Sequence, residues 1–370
     1  MPRRIPFLLF ASLLVIGAMC QAVNAQDEDP SIDRLLKKLP PPEKLAKQPV
    51  QQVLETNDPA AKDPATKQLL QAEQAHNFPQ ALDTARKLTN RYPNSAAAQS
   101  IRGMLALRVH QFAEASSSFR AAIKIQPKLG FAHLGLALVE GSQGHFAAAI
   151  PHLQTVAELQ PKAGFPYYAM SDCAQKIGHK QESVDYAKKA TSLAPSDPRM
   201  WIQLARAEKA MGNTKETLTA ITRAAEVSPD SASLLAVVGY SYIDMNQVPQ
   251  AIAPLQRAVR LAPNDFLVHA QLGYCLTSTG SLDAGISHLR KANSLNRSYG
   301  PAWEYLGIAY QKQGHHKDAL AAFEKAAQLM PGARLSWQHL ADEYQAVGRS
   351  VDAQRAAAHA QKLPAPAKKT

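Results

Sequence analysis

The apolar residues between positions 300 and 333 form two stripes, each at the spacing of one helix face. The first stripe consists of Trp303, Leu306, Gly307 and Tyr310. The second consists of Ala319, Leu320, Phe323, Ala326 and Ala327. Gly314 separates the stripes and suits a left-handed turn, and Pro331 follows the second stripe, where proline stops a helix. The pattern therefore predicts a helix, a tight turn and a second helix.

This unit recurs along most of the chain at an interval of 34 residues. The closing proline appears in seven copies and is replaced once, by Arg297; the prolines are Pro93, Pro127, Pro161, Pro195, Pro229, Pro263 and Pro331. About nine copies fit between residues 62 and 365 without an inserted residue. One helical pair cannot bury both of its apolar faces, so neighbouring copies must stack. The sequence predicts an all-α solenoid of helix-turn-helix repeats.

The pattern resembles the tetratricopeptide repeat family, whose signature places Trp, Leu, Gly and Tyr in one helix and Gly, Ala, Phe, Ala and Pro after it. The copy that begins at Gly300 matches each of these positions. The resemblance implies a right-handed superhelix whose first helices line a concave groove. The departures are Glu140 and Glu208 for Tyr, Gly285 for Ala, Asn246 for the turn Gly, and Pro151 and Pro254 within second helices. We expect Asn246 to be tolerated, the two prolines to bend their helices, and Glu140, Glu208 and Gly285 to loosen local packing.

The resemblance also identifies the residues that would face a partner in the groove. They are Phe131, Leu134, Phe165, Tyr168, Asp172, Arg199, Arg206, Tyr240 and Tyr274. Aromatic residues and arginine are enriched at binding hot spots, so we expect a peptide segment to lie there with apolar anchors near Phe131 and Phe165. The alternative is that these aromatic rings pack against the neighbouring repeat.

The sequence contains no arrangement of residues typical of an active site, a cofactor site or a metal site. We therefore expect that the protein is not an enzyme and that it needs no cofactor. His145, His179, His315 and His316 follow turn glycines and are expected to be solvated. His133 and His269 occupy the position of Trp303, which favours a packing role. Cys173 and Cys275 share another position within their repeats and are expected to be small buried apolar residues.

Residues 1–25 have the features of a secretory signal peptide. Arg3 and Arg4 precede an apolar run, and Ala25 precedes a cleavage point at Gln26. Retention of the segment as an anchor is the alternative, and lipidation of Cys20 is disfavoured because Met19 before it is large. The mature protein is expected in an exported compartment, periplasmic or secreted.

Two further segments flank the predicted repeats. Residues 26–61 form a Pro-rich linker, in which Ile32, Leu35, Leu36 and Leu39 outline a short amphipathic helix. That helix could cover the first repeat, remain a tether or dock on a partner. Residues 366–370 are expected to form a disordered tail.

The net charge of +11 is spread over the chain and forms no basic block. For an exported chain this disfavours nucleic acid, and it limits membrane contact to a transient one or to an uncleaved signal. The predicted function is a non-catalytic protein-interaction scaffold, in a setting such as an envelope assembly, that binds other proteins or peptide segments. The alternative is a glycan- or ligand-binding module, for which Tyr168 beside Asp172 is the available pair. The sequence leaves the oligomeric state open.

Overall fold

The computed structural model of the protein describes residues 58–364. The predicted signal peptide, the helix over residues 32–39 and the tail over residues 366–370 lie outside the described residues. The end of the predicted linker is described: Asp58 caps a short 3-10 helix, Pro59–Lys62, by accepting a hydrogen bond from the Ala60 amide at 3.0 Å.

Residues 58–364 contain eighteen α-helices in nine consecutive pairs, and no β-strand. The first helices of the pairs are α1 (Pro64–Gln74), α3 (Ala96–Arg108), α5 (Gly130–Ser142), α7 (Phe165–Lys176), α9 (Pro198–Met211), α11 (Ala232–Asp244), α13 (Phe266–Ser278), α15 (Gly300–Lys312) and α17 (Arg334–Ala346). The second helices are α2 (Phe78–Arg91), α4 (Phe112–Ile125), α6 (Phe146–Leu159), α8 (Lys180–Leu193), α10 (Thr214–Val227), α12 (Val248–Leu261), α14 (Leu282–Leu295), α16 (His316–Leu329) and α18 (Ser350–Lys362). The predicted all-α solenoid of two-helix repeats is confirmed.

The helices form two compact units that divide between Ala220 and Ile221, within α10. In the first unit α1 to α9 pack in chain order, and one part of the core surrounds the fully buried Phe119. In the second unit α11 to α18 pack in the same way, and one part of the core surrounds the fully buried Phe323. Within each unit, neighbouring helices therefore bury their apolar stripes against one another along the chain.

The turns within the pairs take the left-handed conformation that the sequence predicts. Six turn glycines have φ between 76° and 89°: Gly144, Gly178, Gly212, Gly280, Gly314 and Gly348. Asn246 takes φ 56° at the equivalent position, which confirms that it is tolerated there. Pro151 and Pro254 lie inside α6 and α12, and both helices continue past them.

Glu140 and Glu208 are buried and paired, which is a correction to the expectation that they loosen the packing. Glu140 contacts Arg120 at 3.4 Å and His145 at 3.0 Å. Glu208 contacts Lys188 at 3.2 Å and accepts a hydrogen bond from Asn213. Each glutamate thus meets a base on the preceding second helix.

Two of the repeats that keep Tyr at this position make an equivalent contact through the hydroxyl. Arg290 Nε donates to the Tyr310 hydroxyl at 2.7 Å, and the Tyr344 hydroxyl donates to Glu324 at 2.8 Å. In all four cases the partner lies 20 residues earlier in the chain. Where this position holds Glu140, Glu208, Tyr310 or Tyr344, the polar end of the side chain therefore reaches the preceding repeat.

Glu114 forms ion pairs with Arg86 and Arg102 in the first unit, and we expect this cluster to make stability depend on pH. Arg86 and Arg102 donate to the Glu114 carboxylate at 2.6 and 2.7 Å, and these hydrogen bonds, first that of Arg86, outweigh burial and lower the pKa of Glu114 to about 2. A carboxyl group whose pKa is lowered by folding stabilises the fold above its unfolded pKa, and the contribution is lost as the pH falls toward the folded value. We expect the melting temperature of the native chain to fall more steeply than that of Glu114→Gln between about pH 5 and pH 2.

Thermal melts followed by circular dichroism at several pH values test this expectation. Glu216→Gln is the control, because Glu216 is exposed. If the melting temperatures of the native chain and of Glu114→Gln changed equally with pH, the Glu114 cluster would not contribute to the pH dependence of stability.

Candidate functional site

The predicted partner-binding residues of α7 and α9 lie together in the first unit. Phe165 and Tyr168 on α7 are stacked, with ring centroids 6.2 Å apart and planes at 24°. Asp172 lies one turn further along α7, and its Oδ1 is 3.6 Å from Nη1 of Arg206 on α9. Arg199 also lies on α9, so the structure brings five of the predicted residues onto two packed first helices.

A polar network beneath this surface joins α7 to α9 and fixes Arg206. The Arg206 guanidinium lies 3.3 Å from Gln203 Oε1 and Gln203 Nε2 lies 3.1 Å from Ser171 Oγ. Ser171 in turn contacts Ser183 on α8 at 3.1 Å. Since Gln203, Ser171 and Ser183 are fully buried, the network holds the two helices in one register and presents Arg206 in a defined position.

Leu134 and Phe165 are packed more deeply than Tyr168. Leu134 is 3% exposed and Phe165 is 7% exposed, and both belong to one apolar cluster with Ala169 and Met170. Phe131 is half-buried, with its ring centroid 6.4 Å from that of Phe119 in an edge-to-face arrangement. Leu134 and Phe165 therefore contribute mainly to the core, and contact of these three with a partner stays a prediction.

Arg199 is oriented by its own helix cap. Its guanidinium makes two Nε contacts to Asp197, at 2.8 and 3.0 Å, and a third short contact through Nη2. These hydrogen bonds raise the pKa of Arg199. Asp197 also accepts a hydrogen bond from the Arg199 amide at 3.0 Å. The same carboxylate therefore caps α9 and fixes the side chain of Arg199.

Tyr240 and Tyr274 lie in the second unit and are half-buried. The Tyr274 ring centroid is 4.9 Å from that of Tyr305 on α15. Burial, reinforced by the nearby tyrosines, raises the pKa of Tyr305 to about 12. Tyr274 therefore belongs to an aromatic surface of the second unit, and the role of both residues in binding stays a prediction.

A second bridge between first helices, from α15 to α17, was not predicted from the sequence. Glu304 accepts hydrogen bonds from Ser336 at 2.7 Å and from His339 at 3.0 Å. Burial alone would raise the pKa of Glu304, but these hydrogen bonds outweigh it and lower the pKa. The signal in the sequence is that polar residues 32 to 35 positions apart fall on facing sides of adjacent first helices.

Three of the histidines that follow turn glycines contact acidic side chains, and the two cysteines are buried. His145, His179 and His316 each contact a glutamate, at 3.0, 2.9 and 2.7 Å. Cys173 and Cys275 are buried thiols, and burial raises the pKa of each to about 12. Thiols held protonated in this way act as small apolar residues, as the sequence predicts. In the described part of the chain, none of the helices has the length and apolar character of a membrane span.

Comparison with known proteins returns one family. Models described as tetratricopeptide repeat match residues 67–130, 166–197, 202–266, 238–294 and 300–333. The comparison with curated proteins gave no match.

Solved structures with a similar fold include YrrB, described as a TPR protein with an unusual peptide-binding site, at 21% identity over 50% of this chain and 95% of that chain (TM-score 0.45). They also include MamA, at 23% identity over 45% and 90% (TM-score 0.42), and a MamA fragment from Desulfovibrio magneticus RS-1, at 20% identity over 45% and 92% (TM-score 0.40).

The matched segments together cover more than half of the chain and follow the paired helices of both units. Proteins built in this way are typically non-catalytic and act as protein-interaction scaffolds. The helix pairs recur every 34 residues, their turns are left-handed, and the family models match the same segments. The chain therefore belongs to the tetratricopeptide repeat family.

Proposed function

We propose that this chain is an exported, non-catalytic scaffold that binds a segment of another protein on the surface formed by α7 and α9, as part of an envelope assembly. The observation that supports the site is the arrangement of Tyr168, Asp172 and Arg206, which places a half-buried aromatic ring beside an ion pair on two rigidly joined helices. Export rests on the signal-like sequence of residues 1–25.

The chemistry of this surface defines the partner segment. An apolar or aromatic side chain of the partner would pack on Tyr168, and a carboxylate would share Arg206 with Asp172. The buried network through Gln203 and Ser171 means that Arg206 is already oriented before binding, which reduces the entropy lost on association.

Photo-crosslinking tests the site without disturbing the ion pair. Tyr168 is replaced by a photoreactive phenylalanine derivative, and Tyr186 on α8 of the same repeat is the matched control, because it is also a half-buried tyrosine. We expect the derivative at position 168, and not at position 186, to capture a specific protein from the native envelope. Capture from position 186 alone would contradict the proposed surface.

Substitution of the predicted residues gives a second measurement of the same site. The triple variant Tyr168→Ala, Arg206→Ala and Tyr240→Ala is expected to lose the captured protein while circular dichroism shows the helices retained. An unchanged set of captured proteins would contradict the assignment. Export is tested on the same preparation by N-terminal sequencing, for which the expected first residue is Gln26.

The alternative is a glycan-binding module, and one observation favours it: Tyr168 and Asp172 lie one turn apart on α7, the arrangement of an aromatic face beside a carboxylate. Calorimetric titration with envelope glycans separates the two functions. Heat from a glycan, together with no captured protein, would replace the scaffold proposal with this one.

A further inference from the structure

The chain contains two pairs of histidines, one pair in each unit, and the two imidazole rings of each pair face each other. Nδ1 of His133 on α5 is 3.2 Å from Nδ1 of His152 on α6. Nδ1 of His269 on α13 is 3.0 Å from Nδ1 of His288 on α14. The two residues of each pair are 19 positions apart, and the ring centroids are 5.4 and 5.1 Å apart. The same arrangement therefore occurs twice, in separate repeats.

The tautomer of the first histidine in each pair is fixed by the backbone. Nε2 of His133 is 2.9 Å from the Pro127 carbonyl oxygen, and Nε2 of His269 is 3.1 Å from that of Pro263. A carbonyl oxygen only accepts, so Nε2 carries the proton and the Nδ1 lone pair faces the second imidazole. A hydrogen bond of this kind behind the ligating nitrogen is the arrangement that orients histidines which bind metals.

Other repeats show what this position needs for packing alone. Trp201, Trp303 and Trp337 occupy it in three repeats, and each indole donates to the carbonyl six residues earlier, at 2.8, 3.0 and 3.0 Å. The residue 19 positions after each tryptophan is a buried alanine: Ala220, Ala322 and Ala356. Tryptophan over alanine thus fills the space and satisfies the carbonyl. The two histidine repeats instead bring a pair of ring nitrogens together, which packing does not require.

The geometry suits a metal ion between the two nitrogens. Zinc binds histidine nitrogen at about 2.0–2.1 Å, so two ligands at a tetrahedral angle lie about 3.3 Å apart. The observed separations of 3.2 and 3.0 Å need a shift of only a few tenths of an ångström. His152 and His288 are half-buried, which leaves the outer side of each pair open to water.

The surroundings of both pairs are compatible with a bound cation. Glu140 and Arg120 face the first pair, and Asp265 and Lys291 face the second, so each pair meets one acid and one base.

We propose that each histidine pair is a binding site for one divalent transition-metal ion, represented by Zn²⁺, held by the two Nδ1 atoms and completed by water. In residues 58–364 no three or more His, Cys, Asp or Glu side chains gather as a metal-binding group, so the chain supplies two ligands to each ion. Binding needs the second imidazole to move its proton from Nδ1 to Nε2 through solvent, and it releases no net proton. The sequence predicts packing for His133 and His269 and no metal site, and the proposal adds a role to that packing.

Isothermal titration of the metal-free full chain with zinc chloride tests the proposal by stoichiometry. We expect two equivalents for the native chain and one for His133→Trp with His152→Ala. We likewise expect one for His269→Trp with His288→Ala, and none for the variant with all four substitutions. These variants copy the tryptophan–alanine pair that three other repeats already contain, so the packing and the hydrogen bond to the carbonyl are retained.

Nuclear magnetic resonance, with magnesium as the control cation, tests whether the histidine nitrogens bind the metal. Zinc should shift the ¹⁵N resonances of Nδ1 in the four histidines, and magnesium, which prefers oxygen ligands, should not. A native chain that binds no zinc, or a four-substituted variant that still binds two equivalents, would overturn the proposal. If circular dichroism shows that a double variant is not folded, His152→Gln and His288→Gln replace it, and unchanged stoichiometry in either overturns the proposal for that pair.

Discussion

Phe323→Ala is expected to lower the free energy of unfolding by about 3–5 kcal/mol, the range for removing a buried aromatic side chain from a core. Phe323 is fully buried on α16 and fills the space beside Gly307 on α15. Its ring also lies 5.5 Å from that of His339 on α17. The substitution therefore opens a cavity at the point where two repeats meet, and denaturant titration with hydrogen exchange should show the loss concentrated in α15 to α17.

The control for this variant is Phe323→Leu. Leucine is the native residue at the equivalent position of three other repeats, in two of which Leu255 and Leu289 are fully buried beside Gly239 and Gly273. Leucine keeps most of the buried volume, so the loss should be clearly smaller than that of the alanine variant. Equal losses for the two variants would show that the cavity is not what determines stability at this position.

The helices and turns could be predicted because their signals are local. The stripe of Trp303, Leu306 and Tyr310 specifies one helix face without reference to the rest of the chain. A turn that needs positive φ selects for glycine, and Asn246, His76 and His110 show that asparagine and histidine also adopt this conformation. Local conformational preference and apolar periodicity together therefore determine the repeat.

The polar contacts between repeats could not be predicted in the same way. Glu140 departs from the family pattern, and its effect depends on whether Arg120 reaches it from the preceding second helix. That contact is set by how one repeat stacks on the next, which no local pattern contains. The recurrence of a polar partner 20 residues earlier, as for Lys188 and Glu208, is the signal that such a prediction needs.

The candidate binding surface was predicted only in outline for a related reason. Positions on one first helix face both the neighbouring repeat and the solvent, so the sequence does not separate Leu134, which is buried, from Tyr168, which is half-buried. The bridge from Gln203 to Ser171 was missed because neither residue is unusual until α7 and α9 are adjacent. Position within the repeat identifies the side of the helix, and stacking then determines which side chains remain available.

Gly135→Ala is expected to destabilise the first unit by about 1–3 kcal/mol, the cost of forcing an extra carbon into a packed core. A Cβ atom at this position of α5 would lie 2.3 Å from Cζ of Phe119 on α4. The ring cannot move freely away, because Gly103 on α3 lies against its other edge and Phe131 lies 6.4 Å from it, centroid to centroid. Chemical denaturation of the variant measures the loss, and Phe119→Leu in the same variant should recover part of it.

Gly141→Ala on the same helix is the matched control, and the opposite sign is expected for it. No atom lies within 4 Å of a Cβ placed at Gly141, and its φ is not positive. Alanine there should leave stability unchanged or raise it by up to about 1 kcal/mol, because it reduces the backbone entropy lost on folding. The comparison separates close packing from helix propensity: if both variants changed stability in the same direction, contact between Gly135 and Phe119 would not be the reason that glycine occupies this position.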